Sequence, residues 1–293
     1  MNIKELHYFQ RLFQEISFTK TAKFFHVSQP TITAAVQRLE KELDTQLVIR
    51  DQSHKNLIFT DSGKQFEKHV EQILQEIETA KLEITAIKKE KVRLGLPPII
   101  GSYYFPSLSS LLVKHDLLSR LETHEDGSKL LLNKLITGQL DLALLGSVQR
   151  IENEQLSGHM LSRKKFKIIV SRTHPLSQKR SVAFKDLLSE PFIQLNERFI
   201  HSIAFQQLSR QTHTKPAIIY RTNDLQIIKG MVANNVGISF LTEMAILPQD
   251  PVVALALSDD LQPEFLIQLV YRSNHLLTSV QQKIVDLMTT NDF

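Results

Sequence analysis

The sequence predicts an α/β protein in three parts: an N-terminal, mainly α-helical winged helix-turn-helix at residues 1–60, a long linker helix at 61–90, and an α/β region at 91–293. Three observations predict this. Short helical patterns separated by tight turns fill the chain up to Leu43. One apolar repeat then runs unbroken from Phe66 to Ile87. Beyond Val92, β-prone runs alternate with helical stretches, the pattern of layered α/β domains.

Ile3, Leu6, Phe9, Phe13 and Ile16 recur at helical spacing and predict the first helix. Thr19 is placed to cap a short second helix, with Phe18 outside it and Ala22 and Phe25 turned inward. His26-Val27-Ser28 then reads as a tight turn. Ser28 suits the N-cap of a third helix, whose first turn holds Pro30 without losing a needed hydrogen bond. Ile32, Val36, Leu39 and Leu43 form its apolar stripe, and Gln29, Thr31, Thr33, Gln37 and Arg38 its polar face.

A short helix, a turn of about three residues and a second helix make the helix-turn-helix layout, in which the second helix enters the major groove of double-stranded DNA. Gln can pair with adenine at two points, and Thr offers a hydroxyl and a methyl to thymine. A solvated polar face on a plain three-helix core would look similar. The next segment favours DNA: Leu47–Arg50 and Leu57–Phe59 are β-prone runs around a polar stretch. As a wing, they bring Arg50, His54 and Lys55 to phosphates, contacts that position without specifying sequence.

From Asp61 to Glu90, Phe66, Val70, Ile73, Ile77, Ala80, Ile84 and Ile87 repeat at spacings of 4 and 3, a heptad seam. A stripe on so long a helix needs burial, either along the chain's own α/β region or, more economically, against a second copy. The α/β region then offers strands at Val92–Leu96, Leu140–Leu145, Phe166–Ser171, Phe192–Leu195, Ala217–Arg221, Gly237–Leu241 and Phe265–Tyr271, with helices through Val113 and over Leu130–Ile136. Their alternation predicts largely parallel strands. Ligands of such sheets bind beyond the carboxyl ends of strands, often at helix N-termini.

Composition bounds the function. The 293 residues are 42% apolar, enough for two or three packed units. The net charge of +4 permits a polyanionic partner without requiring one, and residues 1–60 are only mildly basic, with 8 Lys and Arg against 6 Asp and Glu. The absence of cysteine excludes disulfides, thiolate metal sites and cysteine nucleophiles. The N-terminus lacks the apolar core of a signal peptide, and no uncharged run is long enough to span a bilayer, so a cytoplasmic protein with no membrane partner is expected.

The N-terminal segment resembles the LysR-type transcriptional regulators through Leu6, Phe9, Ser17-Phe18-Thr19, Thr21-Ala22, Val27-Ser28-Gln29-Pro30, Leu39-Glu40, Leu43, Leu47, Arg50, Thr60 and Gly63. Looser matches continue through Gly138–Ala143, His174-Pro175-Leu176 and Val236-Gly237-Ile238. The resemblance implies a linker-helix dimer, usually paired into a tetramer, on an interrupted palindromic operator, with RNA polymerase as a further partner. It also implies a periplasmic-binding-protein-like effector domain of two α/β subdomains, here 91–163 with 267–293, and 164–266. Carried over to the DNA face are Ser28, Gln29, Pro30, Thr31, Thr33 and Arg50. The chain departs from the pattern at Ala34, Asp44 and Val48, where the family commonly has Arg, Gly and Phe.

For the effector cleft, the resemblance points to Ile100 and Ser102, to Ser128, and to Asn196, Thr222 and Asn223. Ser102 and Ser128 are expected at helix starts, where backbone N–H groups favour an anion, so a small organic acid is the expected effector. No cofactor, metal site or catalytic constellation is expected: HExxH, GxSxG, Walker and GxGxxG motifs are all missing. Asp141 reads as a turn or cap residue, and Ser162–Lys165 as a chance Ser-x-x-Lys. Two other classes remain open, a solute-binding protein and an enzyme with a helical N-terminal domain.

Overall fold

The computed structural model describes residues 1–51 and 56–290, the side chains of residues 50, 51 and 56 excepted. It divides into two compact units, Met1–Leu82 and Glu83–Phe293.

In the first unit, α1 (Ile3–Glu15) starts from a capping box in which the Asn2 side chain accepts the Glu5 N–H and the Glu5 carboxylate accepts the Asn2 N–H, both at 3.0 Å. Its buried stripe is Leu6, Phe9 and Leu12. Ile3 and Ile16, expected in that stripe, are exposed: Ile3 opens the helix, and Ile16 is its C-cap and turns left-handed at φ 51°. The second helix, α2 (Phe18–Phe24), is capped by Ser17 rather than Thr19: its Oγ accepts the Lys20 N–H at 3.3 Å. His26 supplies the turn at φ 54°. Ser28 caps α3 (Gln29–Leu43), which buries Ile32, Ala35, Val36 and Leu39 while Leu43 emerges to solvent.

Strands β1 (Val48–Asp51) and β2 (Asn56–Phe59) pair antiparallel, Val48 opposite Phe59. Glu40 on α3 fixes where the pair begins by accepting the N–H groups of Leu47 and Val48 at 2.9 and 3.1 Å. Thr60 then donates to the Gln46 carbonyl and accepts the Gly63 N–H, which starts α4 (Asp61–Lys88). The backbones touch here: a Cβ on Gly63 would lie 2.1 Å from the Leu47 carbonyl oxygen, so only glycine fits. Val70 and Leu74 of α4 complete the core formed by Leu6, Phe9, Leu12, Val36, Leu39, Leu47 and Phe59.

The second unit runs β3 (Val92–Gly95), α5 (Pro98–Lys114), β4 (Leu121–His124), α6 (Ser128–Ile136), β5 (Leu142–Ser147), β6 (Leu156–Ser171), β7 (Ser181–Val182), β8 (Phe192–Leu195), α7 (Ile200–Gln211), β9 (Ile218–Thr222), α8 (Leu225–Ala233), β10 (Ser239–Thr242), β11 (Val252–Leu257), β12 (Glu264–Arg272) and α9 (Ser279–Thr290). The main sheet has the order β4-β3-β5-β12-β6-β11-β7, with β10 also on β6. The expectation of largely parallel strands is corrected. Among the described residues, only β3–β4, β3–β5, β7–β11 and β8–β9 are parallel ladders, whereas β12 is antiparallel to β5 and β6, and β10 and β11 are antiparallel to β6.

The 16-residue β6 organises this unit. Its first part, to Lys165, pairs with β12, and from Phe166 it pairs with β10 and β11. The change of partner falls beside Glu264, the first residue of β12, so β6 alone continues from the β12 pairing into the pairing with β10 and β11. Asp141 is fully buried just before β5 and accepts the backbone N–H of Arg93 at 2.7 Å and its guanidinium at 2.5 Å, which locks β5 to β3.

Candidate nucleic-acid interface and effector cleft

On α3, Ser28 spends its hydroxyl on capping, 2.8 Å from the Thr31 hydroxyl and accepting the Thr31 N–H. Gln29 is half-buried and donates Nε2–H to Thr33 Oγ1 at 2.9 Å, an i,i+4 pair on the expected reading face. Pro30, Thr31, Gln37 and Arg38 are exposed along that face. Arg38 is also bound inside the unit, its Nε donating to buried Glu5 at 2.6 Å, with 58% of the side chain open. Arg50 lies on β1 opposite Leu57; its side chain, with His54 and Lys55, falls outside the described residues. Sequence reasoning passed over Lys20 and Lys23, two exposed cations of α2, the helix that crosses the DNA backbone in this motif.

The heptad seam divides in two. Val70 is fully buried in its own core, and Phe66 packs against Phe9 with ring centroids 5.2 Å apart. That corrects the assignment of Val70 to a contact between copies: the first turns of α4 serve the core of their own unit. Further along, Ile73, Ile84 and Ile87 are 42%, 55% and 50% exposed, Ala80 is exposed and Ile77 half-buried.

At the end of α4, within the second unit, Glu83 accepts hydrogen bonds from Arg272 and from His275 Nδ1. Arg272 in turn donates to the carbonyls of Leu135 and Leu140. Burial pushes the Glu83 carboxyl up, but the Arg272 bond and the neighbouring His275 bring it below the ordinary carboxylate range. Nothing in the spacing of these residues announced this cluster.

In the second unit, a cleft of about 300 Å³, counting its open mouth, lies between the Pro97–Ile100 turn, Gly127-Ser128, Arg198–His201 and Phe265. Three helices begin at it. The two prolines opening α5 have no N–H, and Gly101 is the first to bond back, at 2.7 Å to the Pro97 carbonyl. That leaves Ile99 and Ile100 N–H without a partner among the described residues. By the same count the first N–H groups of α6, at Ser128 and Lys129, and of α7, at Ile200 and His201, are free.

Two side chains add donors. Ser128 Oγ accepts the Gly146 N–H at 2.9 Å, so its own O–H is left to give. His201 is buried, and its Nε2 accepts the Thr242 N–H at 3.2 Å, which puts the ring proton on Nδ1, an atom with no partner among the described residues. Burial pushes the His201 pKa down to about 3, so the ring is neutral at physiological pH and keeps that N–H. Exposed Arg198 supplies a cation at the rim. Among the described residues, the cleft thus gathers unpaired donors and no acidic side chain, which suits a small anion.

Of the residues expected here, Ile100 and Ser128 line the cleft. Ser102 does not, because it lies one turn inside α5 and donates to the Pro98 carbonyl at 2.9 Å. Asn196, Thr222 and Asn223 also stay outside it. They join the ends of β8 and β9, Asn196 Nδ2 donating to Asn223 Oδ1 at 2.7 Å and Asn196 N–H to the Thr222 carbonyl at 3.0 Å. Arg198 to His201 take that place, at a helix start just beyond a strand's carboxyl end. The expected residues stopped at Asn196, before that helix begins.

Two family models match, "Bacterial regulatory helix-turn-helix protein, lysR family" over residues 3–64 and "LysR substrate binding domain" over 87–292. The chain is 33% identical over 292 residues to the malolactic fermentation system transcriptional activator of Lactococcus lactis subsp. lactis (strain IL1403), covering 99% of each. It is 28% identical over 297 residues to a hydrogen peroxide-inducible genes activator of Dickeya chrysanthemi, covering 98% of this chain and 94% of that protein. Among solved structures, the effector binding domain of QuiR in complex with shikimate superposes with a TM-score of 0.61 at 18% identity, covering 69% of this chain and 96% of that one.

Proposed function

The chain belongs to the lysR family of bacterial regulatory helix-turn-helix proteins, and on that premise we propose that α3 reads an operator in the major groove while the cleft of the second unit takes a small carboxylate. It is a DNA-binding transcription regulator with an effector-binding domain. The carboxylate is the finer reading. It rests on one observation above all: the Nδ1–H of neutral His201 and the O–H of Ser128 stand without acceptors where three helix N-termini meet. A bound carboxylate would satisfy both at once.

The comparisons support the same chemistry. Shikimate, held by the QuiR domain, is a carboxylate, and the name of the Lactococcus relative points to hydroxy acids. Peroxide sensing through a thiol is not open to this chain, which has no cysteine, despite its likeness to a peroxide-inducible activator. Family resemblance adds to the proposal a cytoplasmic dimer, paired into a tetramer on an interrupted palindrome and contacting RNA polymerase. Among the described residues, no helix is long and apolar enough to cross a membrane.

The experiment is a titration of the full chain with malate, lactate and shikimate, followed by calorimetry and by gel shift on the DNA upstream of its own gene. At least one acid should bind and change the DNA complex, and Ser128→Ala with His201→Phe should weaken that acid at least tenfold. Binding that survives the double substitution would remove the cleft from the reading. On the DNA side, Gln29→Ala should cost about 1–3 kcal/mol on the cognate site and relax specificity at one position.

A further inference from the structure

A second cavity opens further along α7, within the second unit, where Gln194 of β8, Ser202, Ser209 and Arg210 of α7, and Lys215 and Arg221 near β9 line a space of about 650 Å³ with its open mouth included. We propose that this cavity is an anion site separate from the cleft, built for a small polyanion such as a tricarboxylate or a phosphate.

Charge is the first argument. Three cations line the cavity and no acidic side chain does, and none of the three is in an ion pair among the described residues. Arg210 lies in the last turn of α7, where a cation offsets the helix dipole anyway. That accounts for one of them and leaves Lys215 and Arg221 on the same cavity unexplained. Like charges gathered without counter-charge repel one another, and an anion between them removes that repulsion.

Gln194 is the second, independent argument. It is 4% exposed, lies on a strand whose four residues are all buried, and its amide nitrogen has no hydrogen-bond partner among the described residues. Buried donors are normally satisfied, so an orphan at a cavity wall calls for an acceptor that the chain does not supply. Ser202 shows how the wall is held. Its hydroxyl donates to the carbonyl of Leu195 or Asn196, at 3.2 and 3.3 Å, and its oxygen accepts from Arg221 Nη1 at 3.3 Å. The Arg221 guanidinium is thereby tied to the cavity rim by a neutral group and keeps its full charge for a ligand. Ser202 also directly follows His201, so one turn of α7 carries both sites.

The test uses the full chain, with citrate and inorganic phosphate as probes, in calorimetry and thermal unfolding at an ionic strength held constant with chloride. Saturable binding of either probe is expected. Citrate alone would assign the site to carboxylates, phosphate to phosphoryl ligands. Arg210→Ala with Lys215→Ala, or Lys215→Glu alone, should weaken that binding at least tenfold. Both positions are exposed, so an unliganded melting temperature equal to wild type will show the fold intact. Ser128→Ala with His201→Phe should leave this binding unchanged, which separates it from the carboxylate reading of the cleft. No saturable binding of either probe, unchanged affinity in the Arg210/Lys215 variants, or loss of binding in the Ser128/His201 variant would each overturn the proposal.

Discussion

Arg38 donates its Nε–H to the Glu5 carboxylate at 2.6 Å, joining the reading helix to α1 from a residue expected to serve DNA. The other Glu5 oxygen accepts the Asn2 N–H that closes the helix cap. Burial raises the Glu5 pKa, but the Arg38 bond and the Asn2 N–H outweigh it, and the carboxyl is held below its ordinary value. Glu5→Gln should therefore destabilise the DNA-binding unit by about 1–2 kcal/mol near neutral pH, a charge-assisted bond discounted for the exposed Arg38.

The pH dependence has a definite sign. A carboxyl whose folded pKa is lowered contributes fully above the ordinary carboxylate pKa, and the contribution fades as the pH falls below it. Urea unfolding of wild type and Glu5→Gln should differ at neutral pH and converge in acid. A gap that does not narrow in acid would mean Glu5 acts through shape alone. Since both Arg38 Nη groups remain for phosphate, Arg38→Ala should weaken DNA binding and stability together.

Ile16 ends α1 at φ 51°, and a β-branched residue is poorly suited to the left-handed region. Its side chain is 59% exposed, so little packing compensates. Ile16→Gly should raise the stability of the first unit by about 1 kcal/mol, the left-handed strain relieved less the entropy glycine adds to the unfolded chain. A lower urea midpoint for the variant would show that Ile16 makes a contact worth more than its strain.

His201 makes the regulatory unit acid-sensitive. Its pKa falls from an ordinary 6.5 to about 3 on folding, because burial disfavours the charged ring. Between those values the unfolded chain holds a proton that the folded chain lacks, so stability is full above pH 6.5 and is lost progressively as the pH falls. The loss approaches about 1.4 kcal/mol per pH unit for one proton. His201→Gln, which can still accept the Thr242 N–H, should flatten the curve of melting temperature against pH through this window. Parallel curves for the two proteins would assign the acid sensitivity to other groups.

The order of elements was readable wherever one physical signal dominated. Ser28 capping and the apolar spacing of Ile32, Val36 and Leu39 located α3, and the run from Leu140 to Leu145 located β5. Signals that depend on tertiary partners were not readable. Leu121–His124 and the first part of β6 are largely polar and only partly buried, so they have no apolar alternation to betray a strand. Val252–Leu257 is apolar enough to read as helix or strand. His201 was hidden for a different reason: its chemistry comes from losing water and from the Thr242 N–H, 41 residues away, and neither is written in its neighbours.

The seam on α4 yields the last prediction. With Val70 and Phe66 committed to the core of the first unit, the side chains left for a partner are Ile73, Ile77, Ala80, Ile84 and Ile87, which keep the 4-3 spacing of a heptad. Ile84 and Ile87 are about half exposed, so in a single chain their burial is incomplete. Against a second copy, each isoleucine would add roughly 1.5–3 kcal/mol on full burial, less for the part already covered. Ile84→Asp with Ile87→Asp replaces that gain by like charges across the seam, while removing nothing from either core. In analytical ultracentrifugation the wild type should sediment as a dimer or larger and the variant as a monomer, with the melting temperature of its isolated chain unharmed. DNA affinity should fall at least about tenfold, because two reading helices on one rod bind their half-sites at a shared effective concentration that separate chains lack. A wild type that is monomeric at micromolar concentration, or a variant that still pairs and binds DNA as before, would remove the seam from the assembly and require another surface to bring two reading helices together.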